Sequence, residues 1–96
     1  MRAIINIISD KAFVSAGWRA RAVEIPGKTK AQLTEILKAA SLKDGKTLYD
    51  LIASGDNLKP DFALYVNGLL RLGSSSILQT VNDSTQIHVV DCTVNG

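Results

Sequence analysis

A nucleophilic site needs a nucleophile and a base within hydrogen-bond reach. This chain has one histidine, His88, and one cysteine, Cys92. They lie four residues apart in a segment that reads as a strand, a spacing that puts both on one face about 13 Å apart, too far for a dyad. A lone cysteine also excludes an internal disulfide, a cysteine-rich zinc site and an iron–sulfur cluster held by four thiolates. His88 therefore reads as a solvent-facing or hydrogen-bonded residue. Cys92 reads as a small hydrophobe, with no basic cluster beside it to stabilise a thiolate. The carboxylates Asp44, Asp50, Asp56 and Asp61 look like cap, turn and surface residues and lack the alternate-residue rhythm of a calcium loop. Gly68 and Gly73 belong to turns and show no phosphate-loop spacing with lysine and a hydroxyl. No catalytic constellation, metal site or cofactor is expected, and the chain reads as a non-enzyme.

Contact residues remain. Tryptophan and arginine are enriched where binding energy concentrates, so Trp18-Arg19 at the start of a predicted strand is a candidate partner contact, although core packing or a loop cap is the stronger account of Trp18. Arg71, in the strand after Asn67-Gly68, is a further candidate. Gly96, preceded by Asn95, offers different chemistry. A glycine carboxylate on a flexible tail has no side chain to obstruct a narrow channel, so an adenylating partner could convert it to an acyl adenylate. The catalysis would then belong to the partner.

These residues need elements to position them. Ala3 to Ile8 is rich in β-branched residues and reads as an interior strand, and Arg19 to Ile25 reads as a second strand that Pro26-Gly27 stops. Asp10 to Gly17 between them shows little periodicity and reads as a loop. Thr29-Lys30-Ala31-Gln32 has capping-box spacing and predicts a helix start, after which Leu33, Ile36, Leu37 and Ala40 form one apolar stripe. Thr47 opens a shorter helix with Leu48, Leu51 and Ile52 apolar and Gly55 as its stop. Phe62 to Val66, Asn67-Gly68 and Leu69 to Leu72 predict a tight hairpin, because Asn-Gly accepts positive φ at both central positions. Ile77 and Leu78 read as a plug for the core, and Gln86 to Cys92 as a final strand. Two hairpins flanking a helical crossover predict an α+β β-grasp (ubiquitin-like) roll. It would be a mixed sheet of four to five strands with one main helix and a short second one, the first and last strands side by side in the middle. Residues 1–92 would form this single domain and 93–96 a flexible tail.

Composition sets the outer bounds. Ninety-six residues suit one domain, and 46% hydrophobic against 21% charged residues allow a real core, which excludes disorder and coiled coil. A net charge of +2, with Arg19 and Arg21 the only tight basic pair, is too small and scattered for a nucleic-acid or membrane footprint. The apolar N-terminal stretch is broken by Asn6 and Asp10, without the longer core of a signal peptide, and no segment has the length of a membrane span. A cytoplasmic, reduced domain is the expectation.

Leu64-Tyr65-Val66-Asn67-Gly68, together with Val81 to Val90 running from an acidic turn into a strand, resembles the MoaD/ThiS family of ubiquitin-like sulfur carriers. The helix around Leu33 to Leu37 and the distance from Ile87 to Gly96 fit the same pattern. The resemblance implies a β-grasp protein whose C-terminal glycine is adenylated by an E1-like enzyme and converted to a thiocarboxylate. That sulfur would pass to a synthase in molybdopterin, thiazole or related cofactor synthesis. Gly96 is the implied acyl position and Asn95 its neighbour. Family carriers end in Gly-Gly where this sequence has Asn95-Gly96, and the Thr47 to Gly55 helix is additional to the family pattern. Ile87 through Gly96 is also similar to ubiquitin-like phage tail-assembly proteins, which implies the alternative of a non-covalent interaction or assembly module.

Overall fold

The computed structural model describes residues 1–71 and 76–92. Its elements run β1 (Arg2–Ile7), α1 (Asp10–Ala16), β2 (Ala20–Glu24), β3 (Lys30–Gln32), α2 (Leu33–Ala39), α3 (Leu48–Ile52), β4 (Ala53–Ser54), β5 (Asn57–Leu58), β6 (Phe62–Val66), β7 (Leu69–Arg71), a 3-10 turn (Ser76–Leu78), β8 (Thr80–Asn82) and β9 (Thr85–Asp91). Alternation along β1 buries Ala3, Ile5 and Ile7 and turns Ile4 and Asn6 to the other face. The result is an α+β fold around a mixed five-stranded sheet of order β2-β1-β9-β6-β7. β1 and β9 lie side by side in parallel, Ala3 opposite Thr85 and Ile7 opposite Val89. Every other pairing in that sheet is antiparallel.

The predicted stripe of α2 is core. Leu33, Ile36 and Leu37 are fully buried in one cluster with Ile5, Leu48, Ile52, Leu64, Ile77, Ile87 and Val89. Each such side chain contributes about 1.5–3 kcal/mol by leaving water. The β6–β7 hairpin turns as expected, with Asn67 at φ 50° and Gly68 at φ 85°. The turn is also fastened sideways: Asn67 N–H donates to the Gln86 carbonyl and Gln86 N–H to Asn67 Oδ1, both at 2.8 Å.

Several expectations change. Asp10–Ala16 is a helix rather than a loop. Ser9 Oγ accepts the Ala12 N–H at 3.1 Å, and Gly17, at φ 83°, closes the other end with its N–H on the Phe13 carbonyl. Only Ala12 and Ala16 are buried, with Phe13 half-buried beside them, so the helix has no long bulky apolar stripe to announce it. The main helix starts at Leu33, not after Thr29, because Lys30–Gln32 is drawn into antiparallel pairing with Thr80–Asn82. Its cap is Gln32, whose N–H meets Glu35 Oε1 at 3.4 Å. Thr47 does cap α3, but Gly55 does not end it: the chain leaves the helix at Ala53 and folds back as the β4–β5 hairpin, with Gly55 at φ 59° in the turn. Ile77 plugs the core, whereas Leu78 is exposed. The expected tail, 93–96, lies outside the described residues, as does most of the connection after Arg71. No helix among the described residues is long and apolar enough to cross a membrane.

Candidate functional site

The arginines and the tryptophan singled out in the sequence go to opposite edges of the sheet. Trp18 and Arg19 precede β2 at one edge, and Arg71 ends β7 at the other, so they form no common site. Trp18 is half-buried, and its Nε1 donates to the Ser41 carbonyl at 2.9 Å. The Arg21 guanidinium stacks 4.6 Å from the indole and donates to the same carbonyl. Arg19 is spent on the fold: its guanidinium lies 3.9 Å from the centre of the Phe13 ring, donates to the Ile7 carbonyl at 3.2 Å and pairs with Asp10 at 2.8 Å. It ties α1 to the end of β1. Arg71 is half-buried, and its Nε donates to Gln79 Oε1. Gly96 and Asn95 lie outside the described residues.

Two carboxylates have environments that alter their acidity, and both sit at helix starts. The Lys28 ammonium, hydrogen-bonded to Glu35 at 2.6 Å, holds that carboxyl below its ordinary value, with help from the Gln32 N–H. The Thr47 N–H and then its hydroxyl do the same for Asp50. These are capping arrangements. A cavity of about 260 Å³ beside α3, lined in part by Asp44, Lys46, Asp50 and Lys59, is likewise occupied with local structure. Asp44 takes the Lys46 N–H at 2.9 Å, and Lys59 donates to the Asp50 carbonyl at 3.1 Å. Among the described residues no group of histidine, cysteine, aspartate and glutamate could hold a metal ion.

What the strands present to solvent is the sheet's second face. One register line crosses all five strands, Ala20, Asn6, His88, Tyr65 and Leu70, and none of the five side chains carries a carboxylate, lysine or arginine. Tyr65 is 39% and Leu70 47% exposed. Val90 and Ile4 on the same face are half-buried. His88 is thus one member of a weakly polar surface, hemmed by Asn6 and Tyr65, and no carboxylate stands opposite it on either neighbouring strand. No family model, curated protein or solved structure matches the chain. The resemblance to sulfur carriers therefore rests on the residues quoted for it alone. A second surface, a groove of about 360 Å³ between the β6–β7 hairpin and β8, has Arg71 in its wall. Arg71 stands out in the sequence but the groove does not, because Thr80 and Val81 carry no strand pattern and Asn82 reads as the start of the turn Asn82-Asp83-Ser84.

Proposed function

We propose that this chain is a ubiquitin-like β-grasp protein that acts by binding other proteins and not by catalysis. The observation that carries this reading is the line Ala20, Asn6, His88, Tyr65, Leu70, free of carboxylates, lysines and arginines, across a sheet face opposite the helices. The partner to test first is an adenylating enzyme, with a sulfur-accepting synthase downstream, in a cytoplasmic cofactor pathway. Two things support that finer, sulfur-carrier form: the resemblance in Leu64 to Gly68 and Val81 to Val90, and the exit of the chain from the middle of the sheet. Cys92 N–H is still held by the Asp61 carbonyl at 2.8 Å, and residues 93–96 follow it.

The experiment is intact-mass spectrometry after incubation with any E1-like adenylating enzyme encoded nearby, ATP and a sulfur donor. A carrier gains the difference between one sulfur and one oxygen atom, and deleting Gly96 removes the gain. Asn95→Gly, which restores the family's terminal pair, speeds adduct formation. No adduct in wild type or in Asn95→Gly overturns the carrier form and leaves the assembly module, which the exposed Tyr65 and Leu70 favour independently. That reading is tested by Leu70→Asp, which should abolish capture of whatever partner the wild type binds while the melting temperature holds.

A further inference from the structure

Among the described residues β8 is paired on one edge only, with β3. Bonded and non-bonded residues alternate along an antiparallel pair. The Leu33 N–H donates to the Gln79 carbonyl at 2.9 Å, and the register continues through Ala31 opposite Val81. The backbone N–H and carbonyl of Thr80, and the N–H of Asn82, therefore point away from β3. Thr80 and Asn82 line the 360 Å³ groove, and no β3 residue does, so the open edge of β8 borders it. The Asn82 carbonyl is already taken by the Thr85 hydroxyl at 2.6 Å, which leaves Thr80 as the residue of β8 that, among the described residues, has both groups to offer.

The side chains around that edge define what fits. Val66 and Val81 are buried and Leu69, 60% exposed, forms an apolar wall. Arg71 stands beside Gln79, just before β8, and among the described residues no carboxylate pairs with it. Its guanidinium uses Nε on a neutral amide, and among the described residues its two terminal nitrogens meet no acceptor, which suits them to a planar, bidentate one. Asp83, just after β8, takes the Arg2 N–H at 2.6 Å and makes that end of the groove unfavourable for a second anion. The groove is thus polarised, cationic where β8 begins and anionic where it ends.

We propose that this groove receives an extended peptide segment of a partner protein, which adds as a strand to the open edge of β8 and seats a carboxylate on Arg71. Main-chain hydrogen bonds to an exposed edge supply affinity in such complexes, and alternate side chains supply specificity. The inference rests on the reading of the chain as a binding module but uses a different surface from the sheet face, so the two fail separately.

The test uses the full chain, isotope-labelled for NMR, and an acetylated, amidated peptide of alternating valine and threonine with one central glutamate. The control peptide carries glutamine instead. The glutamate peptide should shift the amides of Thr80 and Asn82 and the Arg71 Nε resonance, and slow exchange of the Thr80 amide. The glutamine peptide should bind about tenfold more weakly, the worth of one charge-assisted hydrogen bond. Arg71→Gln should make the two peptides equal, and Arg71→Lys, which keeps the charge without the fork, should fall between. Thr80→Pro deletes an amide that β3 does not use and should abolish binding of both peptides with the rest of the spectrum unchanged. Equal binding of the two peptides to the wild type, unchanged exchange at Thr80, or no shifts at millimolar peptide overturns the proposal. Leu70→Asp, the sheet-face variant, should bind the peptide as the wild type does.

Discussion

Arg19 and Arg71 carry the same guanidinium to different ends. Arg19 is used up by two carbonyls, one carboxylate and an aromatic ring, and its value is to hold α1 against β1. Among the described residues Arg71 has a single neutral partner, beside a groove. Residue type alone could not separate them, because the distinction depends on Asp10 and Phe13 being brought to Arg19 by a helix whose only buried side chains are alanines. At single positions the backbone is as decisive. Gly68 sits at φ 85°, and a Cβ at that position would meet nothing within 4 Å, so any cost of replacement is conformational and not steric crowding. Gly68→Val should lower stability by more than about 1 kcal/mol in urea melts, since a β-branched residue resists positive φ. Leu37→Ala, by contrast, opens a void in a fully buried site and should cost about 2–5 kcal/mol.

At the scale of elements, the capping carboxylates make a pH prediction with a definite sign. Glu35 and Asp50 are both held below their ordinary values in the folded chain. A depressed carboxyl stabilises the fold above its unfolded-state value near pH 4, and that contribution disappears as pH falls through the lower folded-state value. Both groups are on the surface, so the effect is small. Melting temperatures followed from roughly pH 5 to about pH 3 should drop more for the wild type than for the Glu35→Gln, Asp50→Asn double variant. An equal drop would assign the acid sensitivity to other groups. The same elements show what could be read in advance. The stripe of α2, the Thr47 cap and the Asn67-Gly68 turn are local patterns, and each stands where its residues put it. The displaced start of α2 is not local: Thr29 to Gln32 satisfies a capping pattern, but Lys30–Gln32 finds hydrogen-bond partners in Thr80–Asn82, and pairing takes those residues out of the helix. The groove beside Arg71 was illegible for the same reason, since it exists only because β8 is held there by β3. Ser9 and Gly17 were a usable signal for α1, a hydroxyl cap and a left-handed stop bracketing seven residues.

At the scale of the whole molecule, the mixed sheet is organised around β1 and β9, which are neighbours in space and lie near opposite ends of the sequence. β9 contributes Ile87 and Val89 to the core from between β1 and β6, so removing it would split the sheet into two antiparallel pairs, β2 with β1 and β6 with β7. This arrangement bears on how the protein is made. During synthesis, β1 and its apolar residues Ala3, Ile5 and Ile7 emerge first and must wait for Thr85–Asp91 before their parallel partner exists. Contacts of such long sequence separation close slowly, and the waiting hairpin exposes an unpaired edge that chaperones recognise. Ribosome-stalled chains should therefore stay protease-sensitive while β9 is inside the exit tunnel and become resistant in one step when it clears. Resistance gained before that point would mean that β1 is sheltered by α1 and α2 without its central partner.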